Sequence, residues 1–311
     1  MRCPKCSTTG PCEKGAKCRE CDYQFGLDPK QPHGLGDADY LELVNQASAG
    51  GQLYFTANQF YFHYCSQRMP QNIWWPFGAA VGAGLGYYNF GLQVAAASAL
   101  VIAGLIYYGT KWWSPPGRMA FENLHTDMKA AGSPIGRYIA KPLFEFRDED
   151  KYTSLLPRAS ETDNVIIVER DVLVDLLMQN GFAKRNRAVV ISQTGYPNFV
   201  TPAVQELLAR RKSISIYLLH DSTDDRLMMK RNIADLELIP TTGHRVFNLG
   251  IEPEQVIYMK QLAPISPGRS GYRIPIDSIP YTVLDAALSH SIKRGVPLLT
   301  AFAKIGYVER T

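Results

Sequence analysis

The chain has 311 residues, of which 46% are hydrophobic and 20% are charged, and its formal net charge is +4. This composition is too apolar for a disordered protein, and the length allows two or three domains. The small net charge does not decide for or against a nucleic-acid partner. The first thirty residues are polar and rich in cysteine, so we expect no cleavable signal peptide.

Two Cys-x-x-Cys pairs, Cys3 with Cys6 and Cys18 with Cys21, are separated by eleven residues. Each pair presents two thiolates from one tight turn, and together they supply the four soft ligands that tetrahedral Zn²⁺ prefers. The spacing predicts a structural zinc site in residues 1–28, a segment that resembles a small zinc ribbon. Cys12 leaves two alternatives open: a site formed with Cys12 in place of Cys3, or a redox disulfide.

Residues 37–72 are predicted to form a small segment of short elements. Asp39 to Ala47 has the spacing of an amphipathic helix, and Leu53 to Tyr64 reads as a turn of strand followed by an aromatic helix. Thr56 has the residue type and position of an N-cap for that helix. The aromatic side chains are expected to pack a small core or to lie at a membrane surface.

Residues 73–113 are expected to form a two-helix transmembrane hairpin. No charged residue occurs between Arg68 and Lys111, and about 40 helical residues would span ~60 Å, or two crossings of a ~30 Å hydrocarbon layer. Tryptophans stand at both ends of this stretch, as is typical of membrane interfaces. A buried helical hairpin in a protein core is the alternative.

The hairpin hypothesis carries further expectations about location and partners. Basic residues flank the stretch and favour a multi-pass membrane protein with both termini in the cytoplasm. The lipid bilayer would then be a partner. Gly78, Gly82 and Gly86 recur every four residues, and such a stripe allows close approach of the second helix or of another copy of the chain in a homo-oligomer.

The remainder of the chain contains the most regular pattern. After a connecting region, 114–163, residues 164–262 alternate short β-branched strands with amphipathic helices, which predicts a parallel α/β sheet. Residues 263–311 are predicted to end in two helices, Tyr281 to Arg294 and Pro297 to Ile305.

Polar residues follow the strands of this α/β region. Glu169 follows the first strand, the turn Gly195-Tyr196-Pro197 follows the second, and Asp221 follows the third. Because the carboxyl ends of parallel strands meet at one edge of a sheet, these residues are expected to converge there.

This constellation resembles the Toprim domain, in the branch that contains the meiotic double-strand-break protein and the topoisomerase VI A subunit. The resemblance implies that Glu169 acts as a general acid or base and that Asp221 is a catalytic residue and a ligand of Mg²⁺ near a phosphodiester. In the family an Asp-x-Asp pair binds the metal, whereas Thr223 stands at the second position here. Asp224 and Asp225 are the candidate replacement ligands, since Mg²⁺ needs only one or two carboxylates besides water and phosphate.

The segment around Thr56 also resembles the winged-helix segment of that branch, whose catalytic tyrosine follows another aromatic residue. If Thr56 is matched to the threonine of the family, Tyr61 and Phe62 fall on the aromatic pair. The nucleophile position is then Phe62, which has no hydroxyl group. Covalent cleavage of the topoisomerase kind is therefore not expected.

The sequence therefore predicts an α/β fold with a Toprim-like parallel sheet and flanking helices, a small zinc ribbon and a transmembrane hairpin. The first functional hypothesis is a membrane-anchored protein that binds nucleic acid or nucleotide phosphate through Mg²⁺ at the cytoplasmic face, with Mg²⁺-dependent phosphodiester chemistry as the candidate reaction. The alternative is a non-catalytic membrane scaffold that uses a degenerate Toprim-like domain and the zinc ribbon to bind a protein partner.

Overall fold

The computed structural model of the protein describes most of the chain. The described residues are 2–10, 14–31, 33–68, 117–133, 135–143, 149–222, 239–259 and 274–308. The chain divides into two compact units, Met1–Tyr64 with Arg118–Thr311, and Cys65–Gly117. Nearly all of the described residues belong to the first unit.

The described helices and strands are numbered in chain order. They are α1 (Asp37–Ala47), β1 (Phe55–Thr56), α2 (Ala57–Arg68), α3 (Arg118–Ala130), β2 (Tyr138–Ile139), α4 (Glu149–Leu155), β3 (Asn164–Val168), α5 (Asp171–Gln179), α6 (Phe182–Arg185), β4 (Ala188–Ser192), α7 (Thr201–Arg210), β5 (Ser215–Leu219), β6 (Arg245–Asn248), α8 (Tyr281–Arg294) and α9 (Leu298–Lys304). Short 3-10 helices occur at Ala159–Glu161, Pro253–Tyr258 and Ile276–Ser278.

A four-stranded parallel sheet forms the centre of the first unit, with the strand order β4-β3-β5-β6. β3 lies between β4 and β5, and its apolar residues Val165 to Val168 are fully buried. A continuous β-branched run of this kind is typical of a parallel strand that is covered on both faces. The strands lie where the sequence pattern predicts them.

The helices follow the same pattern of apolar residues. α5 buries Leu173, Leu176 and Leu177, which recur at helical spacing. α8 ends at Gly295, which has a left-handed backbone (φ 66°), as is common for a glycine that terminates a helix. The two helices predicted at the end of the chain are therefore present as α8 and α9.

A second, smaller sheet lies beside an aromatic cluster. β1 and β2 pair in parallel, with Phe55 opposite Tyr138. Phe60 contacts Phe55 and Phe121 edge-on, with ring centroids 5.6 and 5.0 Å apart. The aromatic residues of α2 thus pack a small core between α2 and α3, as one of the two sequence-based expectations proposed.

The amino-terminal segment is joined to the rest of the first unit through a buried carboxylate. Asp37 is 3% exposed and accepts hydrogen bonds from the backbone N–H groups of Gly26 and Leu27, at 2.9 and 2.8 Å, and from the hydroxyl of Tyr23, at 2.9 Å. Gly26 lies against α3, because a Cβ atom there would be 3.0 Å from the Cβ of Ala131. This segment is therefore packed as part of the unit.

The predicted membrane hairpin requires a correction. Its residues, 73–113, lie outside the described residues, and no helix in the described part of the chain has the length and apolar character needed to cross a bilayer. The longest helix described, α8, has 14 residues and spans about 21 Å, which is shorter than a hydrocarbon core of about 30 Å.

The fold class is accordingly corrected to an α/β protein with parallel sheets, in which no described helix supports the hairpin. The same finding overturns the predicted multi-pass membrane location with cytoplasmic termini, and the lipid bilayer is no longer supported as a partner. The stripe Gly78, Gly82 and Gly86 also lies outside the described residues. The predicted domain boundaries stay predictions.

Candidate functional site

Glu169 and Asp221 lie side by side at the carboxyl edge of the main sheet. β3 and β5 pair in register, with Val168 opposite Leu219. The backbone N–H of Asp221 donates a hydrogen bond to Oε2 of Glu169 at 2.7 Å. The predicted convergence of these two strand ends is therefore confirmed, while the catalytic roles of Glu169 and Asp221 stay predictions.

Glu169 faces a cavity of about 440 Å³. Its second carboxylate oxygen has no hydrogen-bond partner among the described residues. The cavity is lined by Arg170 and Thr194 at the edge of the sheet, by Thr56 at the end of β1 and by Asn58 in the first turn of α2. Glu169 thus presents an available carboxylate oxygen to a cavity of the size that holds small ligands.

Arg170 holds Asp221 in a two-point ion pair. Its Nε and Nη2 groups donate to the two carboxylate oxygens of Asp221, at 2.7 and 3.1 Å. The backbone N–H of Ile276 also donates to Oδ1 of Asp221, at 2.7 Å. Burial raises the pKa of Asp221 to about 6, although the neighbouring guanidinium acts in the opposite direction.

The same guanidinium holds a second acid, Asp277. The Nη2 group of Arg170 donates to Oδ1 of Asp277, and Nη1 donates to Oδ2 at 3.4 Å. Asp277 is fully buried, and the side-chain amide of Asn58 donates to both of its carboxylate oxygens, at 3.0 and 3.2 Å. Burial lowers the pKa of Arg170, but the two acids outweigh burial and raise it above its usual value.

This network of charges joins three parts of the chain. Arg170 follows β3, Asn58 belongs to α2, and Asp277 lies in the 3-10 helix Ile276–Ser278. None of the three is a site residue predicted from the sequence. Arg170 could have been found, because it is a basic residue directly after the acid that ends a strand. Asp277 could not, because it lies more than one hundred residues from Arg170 in sequence.

The Gly195-Tyr196-Pro197 turn lies beside the site and shapes its border. Gly195 has a left-handed backbone (φ 83°), and the peptide bond between Tyr196 and Pro197 is cis. The hydroxyl of Tyr196 donates to Oδ1 of Asp175 at 3.0 Å. This hydrogen bond connects the turn to α5, while Thr194 lines the cavity.

Asp175 is a buried acid that connects this turn to another segment. Its Oδ2 atom accepts a hydrogen bond of 2.7 Å from the backbone N–H of Leu143. Burial raises the pKa of Asp175 to about 7, and the hydrogen bonds from Leu143 and Tyr196 offset only part of that effect. Asp175 is therefore poised to titrate near neutral pH.

The described residues fit Mg²⁺ in part. Glu169 has an oxygen available for the metal, whereas Asp221 makes three hydrogen bonds through its carboxylate, two of them to a guanidinium that competes with any cation. Asp224 and Asp225 lie outside the described residues, as does Thr223. Glu169 therefore fits as a ligand, and Asp221 does not fit as a direct ligand in this arrangement.

Tyr61 and Phe62, the two residues matched to the aromatic pair of the family, are buried. Tyr61 is 9% exposed and Phe62 is 6% exposed. Tyr61 packs edge-on against Phe121, with ring centroids 5.5 Å apart. Tyr61 thus belongs to the aromatic core between α2 and α3, and Phe62 packs edge-on against Tyr61.

The sulfur atoms of four cysteines, Cys3, Cys6, Cys18 and Cys21, are grouped closely enough to hold one metal ion. Their sulfur atoms lie within 4.8 Å of one another, and the Cys3–Cys21 and Cys6–Cys18 sulfur atoms are 3.6 Å apart. A tetrahedral Zn²⁺ with Zn–S bonds of about 2.3 Å requires a separation of roughly 3.8 Å between sulfurs. The cluster therefore fits zinc.

The two cysteine pairs have equivalent backbone turns. Ser7 and Asp22, the residues that follow the second cysteine of each pair, both have a left-handed backbone (φ 62° and 56°). The backbone N–H of each donates to the carbonyl of the first cysteine of its pair. Cys12 lies outside the described residues, and the set of Cys3, Cys6, Cys18 and Cys21 brings four sulfurs together without it.

Comparison with known proteins gives one finding, which concerns the sheet that holds the site. Residues 164–228 match the family model of the Toprim domain of Spo11 and the topoisomerase 6 A subunit. No curated protein and no solved structure matches the chain significantly. The matched segment contains β3, β4 and β5 with Glu169 and Asp221, so the site lies in a Toprim domain, which indicates a Mg²⁺-dependent function related to nucleic acids.

Proposed function

We propose that the protein binds nucleic acid through a backbone phosphate at the cavity beside Glu169, with Mg²⁺ shared between this carboxylate and the phosphate. The observation that carries the proposal is the available oxygen of Glu169, which faces a cavity at the carboxyl edge of a sheet that matches a Toprim domain. Mg²⁺ is commonly held by one or two carboxylates together with substrate phosphates.

Glu169 would be the protein ligand of the metal, and Asp224 and Asp225 remain the proposed additional ligands. Bound Mg²⁺ would supply positive charge that offsets the charge of the phosphate. The N–H of Asp221 holds one oxygen of Glu169, which orients the other toward the cavity. Asp221 is thus proposed as a positioning residue for Glu169, held in turn by Arg170.

Arg118 is the proposed direct contact to phosphate. It lines the cavity, its side chain is 50% exposed, and its ion pair with Glu122 lies on the surface of α3. Such exposed pairs contribute little free energy, so Arg118 can exchange Glu122 for a phosphate at small cost. Arg170 is less able to exchange its partners for a phosphate, because it already neutralises two acids.

Duplex binding measured by fluorescence anisotropy, with Mg²⁺ and with EDTA, tests the proposal. We expect Mg²⁺ to strengthen binding of the intact protein, and we expect Glu169→Gln to remove that increment. Glu42→Gln, which changes an exposed glutamate of α1, is the matched control and should keep it. Identical affinity with Mg²⁺ and EDTA in the unaltered protein would contradict the proposal.

The reaction to test is Mg²⁺-dependent phosphodiester cleavage at this site, with Glu169 as the residue that would hold the metal beside the phosphate. We expect any Mg²⁺-dependent nicking of DNA or RNA to be lost in Glu169→Ala. Nicking that persists in this variant would have another origin.

A second candidate function is a binding module without catalysis, in which the sheet and the zinc ribbon contact a protein partner. The observation that favours it is the Arg170 guanidinium, which lies between Asp221 and Asp277 where a cation would otherwise balance the acids. Absence of nicking together with Mg²⁺-independent binding would favour this second function.

A further inference from the structure

The amino-terminal edge of the main sheet, opposite the edge that holds Glu169, is rich in basic side chains. The strands are parallel and in register, so Ala188, Asn164, Ser215 and Arg245 begin them side by side. The segments that lead into the strands bring their charges to this edge. Eight basic residues surround it, namely Arg158, Lys184, Arg185, Arg187, Arg210, Arg211, Lys212 and Arg245.

We call these eight residues the amino-edge patch. The acids that accompany it among the described residues are Glu161, Asp163, Glu206 and Asp285. The excess of four positive charges equals the formal net charge of the whole chain. The described residues at this edge therefore carry an excess of positive charge.

Half of the patch is explained by contacts within the fold. Arg187 pairs with Asp163 at 3.0 Å, and Arg211 donates to the carbonyl of Thr162 at 2.8 Å. Arg185 pairs with Asp285, and Arg210 pairs with Glu206. Basic residues also complement the carboxyl ends of helices. These four arginines therefore have a structural role.

The other half has no such explanation. Arg158, Lys184, Lys212 and Arg245 are exposed, and none of them forms an ion pair with a residue that the structure describes. Their charges remain available to an external partner.

The chain brings these four residues together from separate segments. Arg158 precedes Ala159, whose carbonyl accepts a hydrogen bond from Arg211, the neighbour of Lys212. The backbone N–H of Arg187 donates to the carbonyl of Lys184, and Nε of Arg187 donates to the carbonyl of Glu161 at 2.7 Å, which links this turn to the segment that holds Arg158.

Lys212 also lies near the turn that precedes Arg245. The position of a Cβ atom on Gly243 is 3.8 Å from Cδ of Lys212, so this lysine reaches the turn that leads into Arg245. The four unpaired charges thus lie along one edge.

We propose that the amino-edge patch is a second contact surface for the phosphate backbone of nucleic acid. The inference rests on the proposed function, because the Toprim match makes nucleic acid the polyanion that the patch fits best. Adjacent strands are about 4.8 Å apart and each residue of a strand adds about 3.3 Å. The five-residue strands therefore separate the patch from Glu169 by roughly 16 Å, so the two surfaces contact different phosphates.

Duplex binding measured at several potassium chloride concentrations tests the proposal. Each phosphate contact contributes about 0.9 to the slope of log affinity against log salt. The variant Lys184→Gln/Lys212→Gln should therefore lower the magnitude of that slope by about 2 and weaken binding at least tenfold at low salt. The control, Lys129→Gln/Lys304→Gln, removes the same charge from exposed positions on α3 and α9 and should leave both values unchanged.

The outcomes separate this inference from the proposed function. Loss of salt-dependent binding in the patch variant, with no effect of Mg²⁺ or of Glu169→Gln, would support the patch and contradict the proposed metal site. Unchanged slope and affinity in the patch variant would overturn the inference even if Mg²⁺-dependent binding persists. Equally tight binding of polyglutamate at the same salt would also overturn it. Unfolding free energies of all variants should match that of the unaltered protein.

Discussion

Arg170 neutralises two acids at the carboxyl edge of the sheet. One guanidinium binds Asp221 and the fully buried Asp277, and Asn58 donates to the latter as well. Removing one partner from a buried ion pair leaves an uncompensated charge, which is more costly than the pair itself is favourable.

Arg170→Gln should therefore lower the free energy of unfolding by about 3 kcal/mol, measured by urea denaturation at neutral pH. The control is Arg210→Gln, which breaks a pair whose side chains are 75% and 59% exposed. The control should cost less than about 0.5 kcal/mol. Equal losses for the two variants would contradict a special role for Arg170.

Asp175 provides a test through pH. Its pKa in the folded protein is raised to about 7 by burial, above the ordinary value near 3.9. Between these two values the folded state binds the proton more tightly than the unfolded state does, so stability falls as pH rises.

The unfolding free energy of the unaltered protein should fall between pH 4 and pH 7. We expect this fall to be smaller in Asp175→Asn, by up to about 3 kcal/mol. Asp221, whose pKa is also raised, contributes a decline of the same sign that both proteins share. Asp150→Asn, at an exposed position of α4, should keep the original profile. If the unfolding free energy of Asp175→Asn changes with pH as much as that of the unaltered protein, Asp175 ionises with an ordinary pKa in the folded protein.

At the scale of elements, the end of β6 packs closely against the end of β5. A Cβ atom on Gly250 would lie 2.0 Å from both Cε1 and Nε2 of His220, whose ring is buried. Nδ1 of that ring is 2.8 Å from the carbonyl oxygen of Asp221. Only a glycine allows the imidazole to keep this place beside the site.

Gly250→Ala should therefore destabilise the protein by about 1 to 3 kcal/mol, measured by thermal or urea unfolding. Adding His220→Ala should relieve the clash, so the double variant should lose less than the sum of the single losses. Gly136→Ala, where the space around the new Cβ is open, is the control. Strict additivity of the two changes would contradict the contact.

The elements also show what could be predicted from sequence. β3, β4 and β5 are short runs of apolar residues with clear ends, and their tips could be placed side by side because parallel strands share an edge. The partner of Arg170 could not be found in this way. Asp277 lies in an irregular segment with no periodicity, and its contact with β3 depends on the path of the chain between them.

At the scale of the whole molecule, the amino-terminal segment with the four cysteines and the sheet belong to one compact unit. The spacing of four cysteines predicts the metal site from chemistry alone, because it depends on local turns. The packing of this segment against α1 and α3 depends on Asp37 and Gly26, which no local pattern identifies.

We expect the purified protein to contain one zinc ion per chain, measured by atomic absorption. Cys18→Ser should reduce this content and expose the docked surface of α3 to hydrogen exchange, because Zn²⁺ supplies much of the folding free energy of such small sites. Cys65→Ser changes a buried cysteine outside the cluster and should retain the zinc. Full zinc content in Cys18→Ser would contradict the assignment of the ligands.

The contact between α2 and α3 has a consequence for how the chain is assembled. The ring of Tyr64, late in α2, lies 5.2 Å from that of Phe121, early in α3, although more than fifty positions separate them in the sequence. The chain therefore leaves the first unit and returns to it at neighbouring points, so a short linker can join these two points. We expect a variant in which residues 69–116 are replaced by a short glycine-serine linker to retain bound zinc and to unfold cooperatively.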